Sequence, residues 1–174
     1  MVWKKESRRH SLARKGIKTA NKPMDASGNI KLPNKFSISD FEYSGEGFWH
    51  EDISTKEEYE EEYGDELDVP FLTDLGFSGT GTGFLDYADI YSYKGNPVFA
   101  YNYDGSTLDG FEIHPDFRKK GIFKVFIDDQ IKSNGGALRF SAPTDKVLEI
   151  FRKHYDVEYN EDEWVGILRF KKEK

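Results

Sequence analysis

The sequence predicts a mixed α+β domain in which a mostly antiparallel sheet is flanked by helices and preceded by a long N-terminal extension. Three observations predict it. Aromatic-rich runs on both sides of Lys94-Gly95-Asn96, and a third after Asp104-Gly105, read as an antiparallel meander. Two amphipathic patterns of helical period then alternate with short apolar runs, giving the order βββαβαβ. Finally, 174 residues with 16% aromatics suffice for one packed core, although 33% of the chain is charged.

In chain order, Ser7 to Lys15 reads as a short helix capped by Ser7 and closed by Gly16, with only Leu12 and Ala13 as an apolar face. Residues 1–22 form a basic arm: eight of the 25 Lys/Arg and one of the 32 Asp/Glu lie there, so the arm carries +7 and the remainder −14. Residues 23–70 read as an irregular acidic extension, because Pro23, Gly28, Pro33, Gly45 and Gly47 interrupt every period. Within it, Glu46 to Asp68 holds eleven carboxylates against Lys56, which makes this run a solvated surface, either loop or exposed helix. Residues 71–174 form the domain proper.

That domain opens on Gly76 to Gly83, which reads as a mobile loop. Gly76 and Gly81 have the separation of a phosphate-binding loop, but Thr82 stands where its lysine belongs. Strands follow at Phe84 to Tyr93, Pro97 to Tyr103 and Ser106 to His114, the last stopped by Pro115. Ile122, Phe123, Phe126, Ile127 and Ile131 then recur at helical spacing until Asn134-Gly135-Gly136. Ala137 to Ala142 is a short strand. Thr144 caps a second helix that runs to about Tyr155, with Val147, Leu148 and Phe151 inward, and Trp164 to Phe170 is the closing strand.

Composition excludes several function classes. Without cysteine there is no disulfide, thiol nucleophile or thiolate zinc site. Apolar runs such as Val125-Phe126-Ile127 fall far short of the ~20 residues a spanning helix needs, and no apolar stretch follows the first charges, so the expectation is a cytoplasmic protein with no membrane segment. His10, His50, His114 and His154 are dispersed without an i,i+4 pair, which argues against a metal site. Ser78 lacks the flanking glycine pattern of an elbow nucleophile.

The informative segment is Phe111-Glu112-Ile113-His114-Pro115-Asp116-Phe117-Arg118-Lys119-Lys120-Gly121-Ile122-Phe123-Lys124. A strand that passes through a basic, glycine-containing turn into a helix brings free N–H groups, the positive end of a dipole and cations to one point, which suits a diphosphate. The stretch resembles the pyrophosphate loop of the GNAT superfamily of acyl-CoA-dependent N-acyltransferases. Arg118 and Gly121 match that loop's Arg/Gln and first Gly, while Phe123 stands at its final small residue. The resemblance covers residues 84–170.

The resemblance implies that acetyl-CoA or a related acyl-CoA is the cofactor and an amine on a small molecule or protein is the substrate. It implies a diphosphate held by the amides of Lys119, Lys120, Gly121, Ile122 and Phe123 with the charge of Arg118 or Lys120 nearby, and an oxyanion held by a strand N–H near Ile113. Glu112 is implied as the base. The family's usual acid, a Tyr seven residues into the second helix, falls on Phe151, and its opening Asn falls on Thr144. Tyr155, one turn on, is the remaining candidate acid. Two other readings stand beside this one: a non-catalytic module that engages a partner through the N-terminal extension, and a nucleic-acid binder that uses the basic arm, against which the body at −14 would repel phosphates.

Overall fold

Phe41–Phe48 (β1), Tyr87–Tyr93 (β2), Asn96–Asp104 (β3) and Thr107–Ile113 (β4) are successive antiparallel neighbours in the computed structural model, which describes residues 32–79 and 87–173. A two-residue turn with Lys94 at φ 46° and Gly95 at φ 80° joins β2 to β3, the left-handed geometry that matches strand twist. Ala137–Ser141 (β5) pairs with β4 in parallel. Val165–Phe170 (β7) then lies antiparallel between β5 and Tyr155–Asn160 (β6), so the seven-stranded sheet has the order β1-β2-β3-β4-β5-β7-β6. The helices are Lys56–Tyr63 (α1), Ile122–Ser133 (α2) and Asp145–His154 (α3).

The architecture is therefore α+β with a mostly antiparallel sheet. One sheet face carries the main core, where Phe126, Ile127 and Ile131 of α2 and Leu148 and Phe151 of α3 pack on Phe99, Phe111, Leu138 and Phe140. Each such fully buried apolar side chain contributes about 1.5–3 kcal/mol. The opposite face buries Ala88, Ile90 and Ala100 under Leu72 and Phe77 of the segment after α1. Strand alternation thus assigns Phe111 to the helical face and Glu112, opposite Ala100, to the other.

Two expectations need correction. Residues 23–70 are not irregular throughout, because β1 joins the sheet and Phe36 packs on Phe41 and Tyr93. The strand was hidden by the bulge between Tyr43 and Gly45, which breaks the period-two pattern. The acidic run holds helix α1, one of the two forms expected of it, started by a Thr55–Glu58 capping box and stopped by Gly64 at φ 71°. The second predicted helix ends at His154, and Tyr155 opens β6, whose Tyr155, Val157 and Tyr159 alternate with outward Asp156 and Glu158. The basic arm, the Ser7–Lys15 helix and residues 84–86 of the expected strand lie outside the described residues. Among the described residues no helix is long and apolar enough to cross a membrane.

Candidate functional site

Glu112 sits near the end of β4 with 4% exposure, and its carboxylate is enclosed by donors. Ser78 donates its backbone N–H (2.7 Å) and its hydroxyl, Gly79 donates its N–H to the other oxygen (3.2 Å), and Arg118 Nη2 stands 3.3 Å away. A buried carboxylate needs such partners, and two backbone amides in a row form a fixed cradle for it. Arg118 donates from Nε to the Ile113 carbonyl (3.1 Å) and from Nη2 to Ser78 Oγ (3.1 Å) as well. It bridges β4, the 76–79 loop and the loop into α2.

The sequence alone reads the glycine-rich stretch as mobile, but residues 76–79 are anchored, while 80–83 lie outside the described residues. Gly76 at φ 91° lies so close to His114 that a Cβ would collide with Nε2, and Gly79 at φ 73° lies equally close to the Trp49 indole nitrogen. Phe77 packs edge-on to His114, with ring centroids 5.4 Å apart. His114 accepts the Asp116 N–H at Nδ1 (3.2 Å), which fixes the turn that leaves β4. Ser78, Gly79 and Trp49 carry no local signal in the sequence, since their contacts span thirty residues or more.

The predicted diphosphate loop is exposed from Arg118 to Gly121. Lys119 at φ 61° and Gly121 at φ 78° are both left-handed, and Gly121 opens α2 without a side-chain cap. The first N–H groups of the helix, those of Ile122, Phe123 and Lys124, have no intrahelical acceptor by helix geometry. No atom lies within 4 Å of a Cβ built on Gly121, so the glycine is required there by its φ and not by crowding. Ile113 stands opposite Phe99 on the last rung of the β3–β4 ladder.

Beyond the rungs Thr107–Arg139 and Leu108–Phe140, β4 and β5 no longer pair. The cleft between them is lined by Gly110, Phe111, Phe140, Pro143, Val147 and Phe151, among others, and Ser141 Oγ donates to Asp109 across it (2.6 Å). Its volume is about 10 Å³, room for no more than one water. Phe123 closes it further by packing on Phe111 (5.2 Å) and stacking on Phe151 (5.8 Å).

Tyr155 does not line this cleft. It is 2% exposed, and its hydroxyl donates to Asp128 of α2 (2.7 Å), which also pairs with Lys124 (2.6 Å). Burial, followed by the hydrogen bond to Asp128 and that carboxylate's charge, pushes the phenol well above its usual range. Glu112 and Arg118 are thus brought together, whereas Tyr155 belongs to a separate cluster on α2. Among the described residues no group of His, Asp and Glu is arranged to hold a metal ion. No family model, curated protein or solved structure matches the chain.

Proposed function

We propose that the domain is an acyl-CoA-dependent N-acyltransferase that passes an acyl group, in the simplest case acetyl, to an amine. The observation that carries the reading is the passage from β4 into α2: a parallel strand pair that parts after two rungs, next to an exposed loop with left-handed Lys119 and Gly121 and three consecutive cations. Helix-start amides and lysines at one point favour a diphosphate, and the parting strands offer edge amides and carbonyls to a pantetheine amide. The GNAT-like spacing of Arg118 and Gly121 adds to this. Binding of the pantetheine requires Phe111, Phe123, Phe140 and Phe151 to separate.

In the reaction the amine nitrogen bonds to the thioester carbonyl carbon, the C–S bond breaks, the amine proton passes to a base and the thiolate leaves with a proton. Glu112 is the candidate base, directly or through water, once its carboxylate has an oxygen free of the cradle. The Ile113 amide is the candidate oxyanion donor. Tyr155, tied to Asp128, needs a rotation to act as acid.

A second reading is favoured by those same contacts. With Glu112 held by its donors, Tyr155 committed to Asp128 and the cleft filled by aromatic rings, the domain is a non-catalytic module. Calorimetry with acetyl-CoA and desulfo-CoA, paired with thiol release over a panel of amines, separates the two. The enzyme reading requires binding at millimolar ligand or below together with amine-dependent thiol release. Binding without release selects the non-catalytic module, and no binding to the full chain removes the acyl-CoA reading.

A further inference from the structure

The segment that follows α1 borders an open groove away from Glu112. Leu67, Val69 and Phe71 line its floor, backed by Phe48 and Tyr59 in a separate small core. Glu66, Asp68 and Asp74 line it as well, all three exposed, and its volume is about 470 Å³, within the range of clefts that take a ligand or several side chains. Phe71 bridges to Phe48, the last residue of β1, so the groove lies at the β1 edge of the sheet, whereas Glu112 lies on β4, the fourth strand in.

The field over this groove is negative whatever the individual pairings, because it is a sum over many charges. Residues 46–68 hold eleven carboxylates, and Lys56, the only Lys or Arg from residue 36 to residue 93, already serves Glu60 (3.8 Å) and Glu66 (2.9 Å). Helix α1 has no basic residue in its last turn, so the negative end of its dipole adds to the field. The chain itself carries the matching charge. Residues 1–22 carry +7, and there the apolar pair Leu12-Ala13 stands between Arg8-Arg9 and Arg14-Lys15, an order that complements an apolar floor between carboxylates. The tether is long enough. The described chain begins at Leu32, which packs on the main core, and Phe36 lies against Phe41 and Tyr93 at the end of β1 away from the groove. Strand β1 spans roughly 24–27 Å, and the chain from Lys22 to Leu32 reaches about 33–36 Å when extended.

We propose that residues 8–18 of the chain's own basic arm dock in this groove, with Leu12 and Ala13 over the floor of Leu67, Val69 and Phe71 and the flanking cations towards Glu66, Asp68 and Asp74. Charge, apolar patterning and reach together name this occupant. A tethered segment meets the groove at an effective concentration of the order of mM, which favours it over a free basic peptide of the same composition. Docked there, the arm is withheld from other anions, nucleic-acid phosphates included, until salt or a competing polyanion draws it out. The inference does not rest on the acyl-transfer reading, which concerns β4 and the start of α2.

The test uses the full chain. Because the sequence has no cysteine, Ser7→Cys takes a single nitroxide at the start of the docking segment, and NMR reads the broadening it causes at each backbone amide. The expected result is broadening at residues 66–74 about fivefold or more above that at Val157 and Tyr159 of β6, the opposite sheet edge. The contrast should vanish in about 1 M salt, where charges are screened within ~3 Å, and in the labelled chain that also carries Arg8→Gln, Arg9→Gln, Arg14→Gln and Lys15→Gln. Those four changes lie outside the folded core, so the unlabelled spectrum of residues 32–173 serves as the folding control. Equal broadening at both sheet edges, or a contrast that survives neutralisation of the arm, overturns the proposal. So does broadening at residues 66–74 of an isotope-labelled chain without nitroxide when it is mixed with a nitroxide-bearing one, since the occupant is then a second copy's arm.

Discussion

Replacing Glu112 by Gln tests whether the backbone cradle or the ion pair holds the end of β4. Glu112 accepts from Ser78 N, Ser78 Oγ and Gly79 N, and all of these contacts are shielded by a residue only 4% exposed. A hydrogen bond to a charged group contributes about 1.5–3 kcal/mol, and a glutamine retains one accepting oxygen while aiming an NH₂ at an N–H. The loss is then about 2–4 kcal/mol, or roughly 5–15 °C in Tm for a domain of this size. Arg118 is 47% exposed on its side chain, so its 3.3 Å pair with Glu112 is screened and Arg118→Ala should cost only about 1 kcal/mol. Urea unfolding followed by circular dichroism measures both. Equal losses for the two variants would refute the reasoning, since the ion pair would then dominate. Acetyl-CoA calorimetry on Glu112→Gln adds a functional readout: freeing Arg118 from its carboxylate should leave affinity equal or raised, whereas acyl transfer, if Glu112 is the base, should fall ~10²-fold or more.

Gly121→Ala places a methyl in open space at φ 78°, so it should cost about 1–2 kcal/mol of conformational strain by the same unfolding measurement and weaken CoA binding more than Lys124→Ala does. Alkaline stability carries a sign fixed by the tyrosines. The Tyr43 phenol lies at about 12 when folded against about 10 when unfolded, so its contribution is fully present below pH 10 and is lost as pH rises from 10 to about 12. Tyr155 is raised further, by burial and then Asp128, and adds loss in the same direction. Unfolding followed from pH 8 to 12 should show the decline, and Tyr155→Phe should flatten it; a flat wild-type profile would contradict the assignment. Phe123→Ala removes a half-buried ring from the β4–β5 cleft and should cost about 1.5–3 kcal/mol while tightening CoA binding, the reverse of what a purely structural aromatic plug predicts.

Where one face of a strand or helix is buried against the core, the sequence showed it. The meander from Tyr87 to Ile113, α2 and α3 all have apolar residues at their proper periods, and Thr144 and Gly121 mark the two helix starts. Strand β1 was hidden for a local reason: its register shifts at Gly45, so Phe41 and Phe48 do not keep one parity. Strand β6 was hidden by its neighbour. Tyr155 is the C-cap of α3 and the first residue of β6, and a helical stripe ending on an aromatic residue reads as one more turn of helix.

The site divides along the same line. The passage from strand through basic turn to helix start that carries Arg118, Lys119, Lys120 and Gly121 was legible because it is contiguous in the chain. The cradle was not, because its amides come from residues 78 and 79 and its carboxylate from residue 112, and no local pattern records a contact across that distance. The proposed function would give Arg118 two claimants. Under the proposed function, a diphosphate at the start of α2 would compete with the Glu112 carboxylate for one guanidinium, whose Nη2 is already shared between Glu112 and Ser78. A ligand that recruits the Arg118 charge must loosen that contact. Since the backbone amides of Ser78 and Gly79 hold Glu112 without Arg118, the guanidinium can leave at small cost while the carboxylate stays in place. Under the proposed function, ligand binding and the candidate base would be coupled through this one side chain.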